Sequence, residues 1–233
     1  MPEHFKSRLT ETRSSYGSRL VLESRSLAKD FIPDGNLKKT AWRKARWTRF
    51  NHDWQGKRHY PQAETRFASA WTPRQVYVAF WCKYSVLNVF EGGDPEKDTL
   101  GLWNRDVVEA FLNPDPACVN HYYEFEVAPN NLWVDLEINL DRQPVGDAHW
   151  NSGFTHATRI RARAWTCEMR IPVASMTDPN YELRPGAEWR GNFFRADGRG
   201  DDTKRRFLTW SPTLTPKPNF HVPTRFGIIR FVK

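Results

Sequence analysis

The chain has 233 residues, 39% hydrophobic and 27% charged, which is long enough for one large domain and too apolar for wholesale disorder. Its formal charge of +8 favours contact with anions, nucleic acid or acidic glycans among them, but fixes no fold. Its three cysteines lack CxxC or zinc spacing, no apolar run approaches membrane-spanning length, and the N-terminus has no signal-peptide core. As written the chain reads as cytoplasmic; removal of an export signal would make it extracellular or periplasmic.

Residues 1–25 are polar and Ser/Arg-rich without a sustained period, so 1–30 are expected to form a loosely attached arm and 31–233 a single domain. The best helical pattern is short, over 36–47, opened by Asp34-Gly35. It overlaps "LKKTAWRKARWTRF" (37–50), where cations interleave with Trp42, Trp47 and Phe50. Such mixing suits a single-strand nucleic-acid surface. No nucleic-acid fold signature accompanies it, so a half-buried segment with rings inward and cations outward is expected instead.

"TRFASAW" (65–71) and "QVYVAFWC" (75–82), separated by "TPR", read as a hairpin whose second strand is apolar on both faces. "VVEAFLN" (107–113), "HYYEFEVA" (121–128) and "LWVDLEINL" (132–140) follow as strands. In the last, Val134, Leu136, Ile138 and Leu140 alternate with Trp133, Asp135, Glu137 and Asn139, predicting one buried and one wet face. "RIRARAWTCEMRIP" (159–172) changes apolar parity near Ala164 and Trp165, which calls for a bulge or turn. "RGNFFRA", "RFLTWSP" and "FGIIRFV" supply later strands, with Trp210 expected in the core and Cys82 and Cys167 as buried thiols. Roughly ten strands with frequent turn signals and few short helices point to an all-β antiparallel sandwich.

Asp106 and Glu109 are three apart, so in a regular strand they face opposite ways and make a poor glycosidase pair, although Glu124, Glu126 or Asp135 could face either across strands. Asp94, Glu96 and Asp98 in "GGDPEKDT" alternate in a calcium-compatible manner, but the loop lacks EF-hand spacing and its terminal Glu, and Lys97 lowers its charge, so an ordinary solvated loop is expected. There is no HExxH, phosphate loop or GxSxG elbow, so no turnover is expected. Trp103 stands in a loop where no core periodicity demands it. It shares strand parity with Glu109, but six extended residues span about 20 Å, so one ligand reaches both only if the loop bends back.

"LWNRDVVEAFLNP" followed by "YYEFEVAP" resembles the family 9 carbohydrate-binding modules of the wider DOMON-like sandwich group. "DGNLKKTAWRKA", "ASAWTPRQVYVAF", "WTCEMRIP", "WRGNFFRA", "FLTWSP" and "NFHVPTRFGIIRF" continue the likeness in the family's order over about residues 31–233. The resemblance implies an immunoglobulin- or jelly-roll-like sandwich that binds a carbohydrate, often a reducing end, without catalysis. It implies an aromatic clamp of Trp103 and Phe220, a hydrogen-bonding Glu109 and an orienting or loop-fixing Asp106, with Glu126 and Arg195 as further site candidates. Glu126 stands where an arginine serves sugar hydroxyls in the family, and Phe220 where tryptophan is usual. Calcium is common there, so a structural calcium is admitted, with no ligands assigned. The rival readings are a haem module using Met176 with His149, His156 or His221, and an accessory domain of a glycoside hydrolase.

Overall fold

The computed structural model describes residues 19–201 and 203–233, so most of the expected arm lies outside the described residues. The strands are β1 (Val21–Ser26), β2 (Thr48–Phe50), β3 (Thr65–Thr72), β4 (Gln75–Lys83), β5 (Val107–Asn113), β6 (His121–Val127) and β7 (Trp133–Asn139). They continue as β8 (Gly146–Asp147), β9 (Thr155–Arg161), β10 (Ala164–Pro172), β11 (Glu188–Asp197), β12 (Arg206–Thr209) and β13 (Gly227–Val232). One short helix, α1 (Thr40–Lys44), sits inside the stretch expected to be helical.

The strands form one continuous ladder, β8-β7-β6-β5-β11-β13-β1-β3-β4-β10-β9, with β12 beside β11 and β2 beside β3. The ladder folds over at β11, whose residues Glu188–Gly191 pair with β13 while Arg190–Ala196 pair with β5. Two layers therefore face each other. Phe67 of β3 meets Phe193 of β11 at 4.4 Å between ring centroids, and Phe80, Val108, Phe125, Trp165, Met169 and Trp210 fill the same core. This is the expected β-sandwich, open rather than closed into a barrel.

The pairing is antiparallel except at β1, which runs parallel to both β13 and β3. Leu22 and Ser24 are buried there, so residues 21–26 complete the sheet rather than belonging to a loose arm, and the domain begins before Phe31. Ladder hydrogen bonds recruit this segment; its mixed "VLESRS" pattern carries little apolar signal of its own. The parity change in 159–172 is resolved by a two-residue turn between β9 and β10, as expected.

The outer face of β3 and β4 shows why "QVYVAFWC" is apolar on both sides. Ala68, Ala70 and Ala79 leave room for Trp42 and Trp47 to pack against the sheet, their rings inclined at 62° to each other. The neighbouring Arg43, Lys44, Arg46 and Arg49 stay exposed, so rings point in and cations out. This segment is held by Glu168 of β10, a fully buried carboxylate. It accepts backbone N–H groups from Asp34 (2.8 Å) and Gly35 (2.7 Å), the Trp42 indole N–H and the Lys39 ammonium. Gly35 has φ +73 and a Cβ there would meet Arg159 at 2.7 Å, so only glycine fits. Removing the acceptor would strand buried donors and a cation together. Glu168→Ala is therefore expected to cost about 3–5 kcal/mol in urea denaturation and to open Trp42 to fluorescence quenchers.

Candidate functional site

The outer face of the other layer carries a cleft of about 530 Å³ floored by Glu109, Glu124, Glu126, Leu136, Ile138 and Ala196. Strand alternation puts the acids there. Val108, Ala110 and Leu112 of β5 and Tyr123, Phe125 and Val127 of β6 turn inward to the core, so Glu109, Glu124 and Glu126 turn outward. The β5–β6 register sets Glu109 directly opposite Glu126 and Phe111 opposite Glu124. Oxygens of the three carboxylates lie within 4.8 Å of one another. Each residue is at most 3% exposed. Among the described residues no other three acidic, histidine or cysteine groups converge so closely, and Asp94, Glu96 and Asp98 do not. Asp94 instead caps the Glu96 N–H and pairs with Lys97.

Trp103 reaches this floor because the loop does bend back. Gly101, at φ +79, opens a 3₁₀ turn over Leu102–Asn104; Leu102 plugs the layer and Trp103, 42% exposed, stands at the cleft. Arg205 ties the turn down, donating from Nη2 to the carbonyls of Trp103 (2.7 Å) and Arg105 (2.9 Å), with its guanidinium 5.1 Å from the Phe207 ring. Phe220 also lines the cleft, half-buried, stacked on Phe194 of β11 at 4.2 Å and edge-on to Phe207. His221 beside it shares a 2.8 Å hydrogen bond with the Tyr122 hydroxyl.

Trp103, Phe220, Glu109 and Glu126 are thus brought together, whereas Asp106 and Arg195 are not. Asp106 points to the other side of β5 and accepts the backbone N–H groups of Asn88 (3.1 Å) and Gly198 (2.8 Å). Burial, and then the charge of Asp197, pushes its carboxyl up to about 6. It is a loop-fixing acid, not part of the cleft. Arg195 is a correction of the same kind: it shares the inward parity of Phe193 and is fully buried. Its guanidinium donates to the carbonyls of Ala63 (3.2 Å) and Lys83 (2.8 Å) and pairs with Asp197. It clamps β11 to the facing layer.

In β7 the apolar set Val134, Leu136 and Ile138 is buried as expected, on the outer face beneath the cleft. Asp135 departs from the expected wet face: it is buried on the other side, accepting the backbone N–H of Ser152 at 2.8 Å. Met176 packs in the inner core whereas His221 lies at the outer cleft. Sequence reasoning did not single out Arg205, Phe207 or Asn219; their approach depends on a chain reversal that leaves no periodic signal. Glu124 was legible, since it alternates with Tyr122 and Glu126.

No described helix is long and apolar enough to cross a membrane. The family described as "Carbohydrate family 9 binding domain-like" matches residues 32–233. A protein of Arthroderma benhamiae described as "Extracellular protein" is 29% identical over 185 residues, covering 74% of this chain and 80% of that protein. A crystallised protein of Bacteroides uniformis has a similar fold, with a TM-score of 0.73 and 19% identity over 92% of this chain and all of the other. A family 9 carbohydrate-binding module of Caldicellulosiruptor kristjanssonii, solved with cellotriose, gives a TM-score of 0.64 and 17% identity over 91% of this chain and 94% of the other.

The cleft floor has a measurable consequence for stability. Burial, then the charges of Glu109 and Glu124, holds the Glu126 carboxyl well above its usual range. Burial and Glu124 do the same to Glu109, against the pull of Arg205. A carboxyl whose folded pKa exceeds its unfolded value favours the fold while protonated, and that contribution is lost as pH rises through the folded pKa. Glutamine stays neutral throughout. Glu126→Gln should therefore gain stability relative to the native chain progressively as pH rises above the unfolded carboxyl's pKa of about 4.3, read from paired urea titrations.

Proposed function

Because the chain belongs to the carbohydrate family 9 binding domain-like family, we propose that it binds a mono- or oligosaccharide in this cleft without catalysing a reaction. The observation that carries this reading is the exposed indole of Trp103 in a cleft that Phe220 also lines and whose floor is acidic. Pyranose C–H groups are apolar and slightly positive, so they suit the negative faces of aromatic rings. Sugar hydroxyls need oriented polar partners, and the buried carboxyl of Glu109 offers one from below, worth about 0.5–1.5 kcal/mol for an ordinary hydrogen bond.

The arrangement of the acids supports binding rather than hydrolysis. A glycosidase pair flanks the scissile bond from two sides. Here Glu109, Glu124 and Glu126 crowd together on one side of the ligand space, within 4.8 Å of one another. A mono- or oligosaccharide end fits the open mouth between Trp103 and the 218–221 loop, which is the basis for favouring a chain terminus as ligand. The extracellular description of the A. benhamiae relative supports a place outside the cytoplasm rather than the cytoplasmic one read from the sequence.

Calorimetry against glucose, cellobiose and cellotriose tests this reading. Trp103→Ala should weaken binding at least tenfold, about 1.4 kcal/mol, with little change in melting temperature, because its ring has few core contacts. Phe220→Ala should weaken binding less and also lower stability, since Phe220 stacks on Phe194. Phe220→Trp enlarges the stacking face and should tighten binding. A Trp103→Ala chain that melts far earlier yet binds sugar normally would make Trp103 a packing residue.

A further inference from the structure

We infer that the ligand of this cleft carries a protonated amine: an amino sugar with a free ammonium group, seated on Glu109, Glu124 and Glu126. The inference rests on the carbohydrate reading above and names the class of sugar. Its first support is unmet hydrogen-bonding capacity. Glu126 is fully buried, lines the cleft, and its carboxylate oxygens meet no donor apart from the neighbouring Glu124 carboxyl when that pair is protonated. Oε1 of Glu109 and Oε2 of Glu124 are likewise buried and unpartnered. Buried polar groups are almost always satisfied, so such a concentration at the bottom of an open cleft marks acceptors kept for a donor that arrives from outside.

The second support is the kind of donor that fits. A neutral sugar hydroxyl brings one O–H and two lone pairs, and those lone pairs would face further oxygens. An ammonium brings three N–H donors and no acceptor. Three oxygens within 4.8 Å of one another surround a centre about 2.8 Å from each at most, the length of a charge-assisted N–H···O bond. The third support is charge. Burial and mutual repulsion disfavour ionising these acids in the empty cleft, and an ammonium seated among them would offset both and hold them as carboxylates.

The walls agree with the floor. Aromatic faces attract organic cations as well as sugar C–H groups, so Trp103 and Phe220 serve both halves of an amino sugar at once. The rest of the floor is Leu136, Ile138 and Ala196. A calcium ion takes six to eight oxygens, and these side chains add none. An ammonium on an apolar ring needs only the three acids and a hydrophobic surround.

The test is calorimetry on the full chain at neutral pH with EDTA present, using glucose, glucosamine, N-acetylglucosamine and butylamine. Glucosamine is expected to bind at least tenfold tighter than glucose. N-acetylglucosamine, whose nitrogen is neutral, should lose that advantage, and butylamine, without a pyranose, should bind far more weakly than glucosamine. Glu126→Gln and Glu124→Gln, each checked for a native circular dichroism spectrum, should bring the glucosamine-to-glucose affinity ratio close to one. Equal affinity of the native chain for glucose and glucosamine overturns the inference while leaving carbohydrate binding intact. Butylamine binding as tightly as glucosamine overturns the sugar assignment in favour of a bare amine. Stoichiometric binding of calcium chloride alone, blocking glucosamine, would make the floor a metal site. If none of the sugars binds, the inference falls together with the carbohydrate reading.

Discussion

The register of β5 against β6 is the constraint on which the site depends. It sets Glu109 opposite Glu126, with Glu124 one pleat further along the same face. Like charges directly opposite on a sheet oppose pairing, so the register must be held by something stronger. That something is the inner face: Val108, Ala110 and Leu112 beside Phe125 and Val127, all buried against β3, β4 and β10. A slip of one residue would turn all of these side chains to the cleft and the carboxylates into the core. The apolar core thereby fixes the acid cluster, although it contributes no atom to the cleft.

Two charged networks on opposite faces of this layer divide the work. On the inner side Arg195, Asp197 and Arg206 neutralise each other, with Asp197 receiving both guanidinium groups, and Asp106 next to them pins two loops by backbone hydrogen bonds. That network is structural, although the buried Nε of Arg195 is left without a hydrogen-bond partner. On the outer side the glutamates lack matching donors. Burying acids without partners costs stability unless they hold protons, and a fold tolerates that cost where the groups serve a ligand. The contrast between acids that meet donors and acids that do not, separated by one sheet, separates scaffold from site.

Much of this was legible in the sequence, and the failures are instructive. The period-two runs of β3 to β7 and the turn between β9 and β10 follow from side-chain alternation alone. The rings of Trp42 and Trp47 face inward as the pattern suggests, because the alanines beneath them leave space. In β7 alternation separated an apolar buried set from a polar one, but it could not say which surface of the sheet each would occupy. Leu136 and Ile138 look like core residues but line a cleft, while Asp135 is buried because Ser152 satisfies it. β1 was missed since its place depends on parallel partners in β3 and β13 at distant points of the chain. Arg195 was placed in the site by resemblance, yet its parity with Phe193 already pointed inward. Trp103 could be nominated from sequence, but only the 3₁₀ turn held by Arg205 brings it over Glu109.

The net charge of +8 and the acidity of the cleft pull in different directions, and their ranges decide between them. Exposed charges act over about a Debye length, roughly 8 Å at physiological ionic strength. The cations of the 37–50 segment lie on the outer face of the opposite layer, across the sandwich core from the cleft. Sheets pack about 10 Å apart, so that basic surface is largely screened at the acidic floor. Within the cleft, by contrast, carboxylates in contact with a ligand act in a partly desolvated space, where a charge pair is several times stronger than in water. The local cluster therefore governs which ligand is held, and the basic surface governs only the longer-range approach of other anions. Overall charge pointed towards acidic partners; the buried glutamates point the binding site the other way.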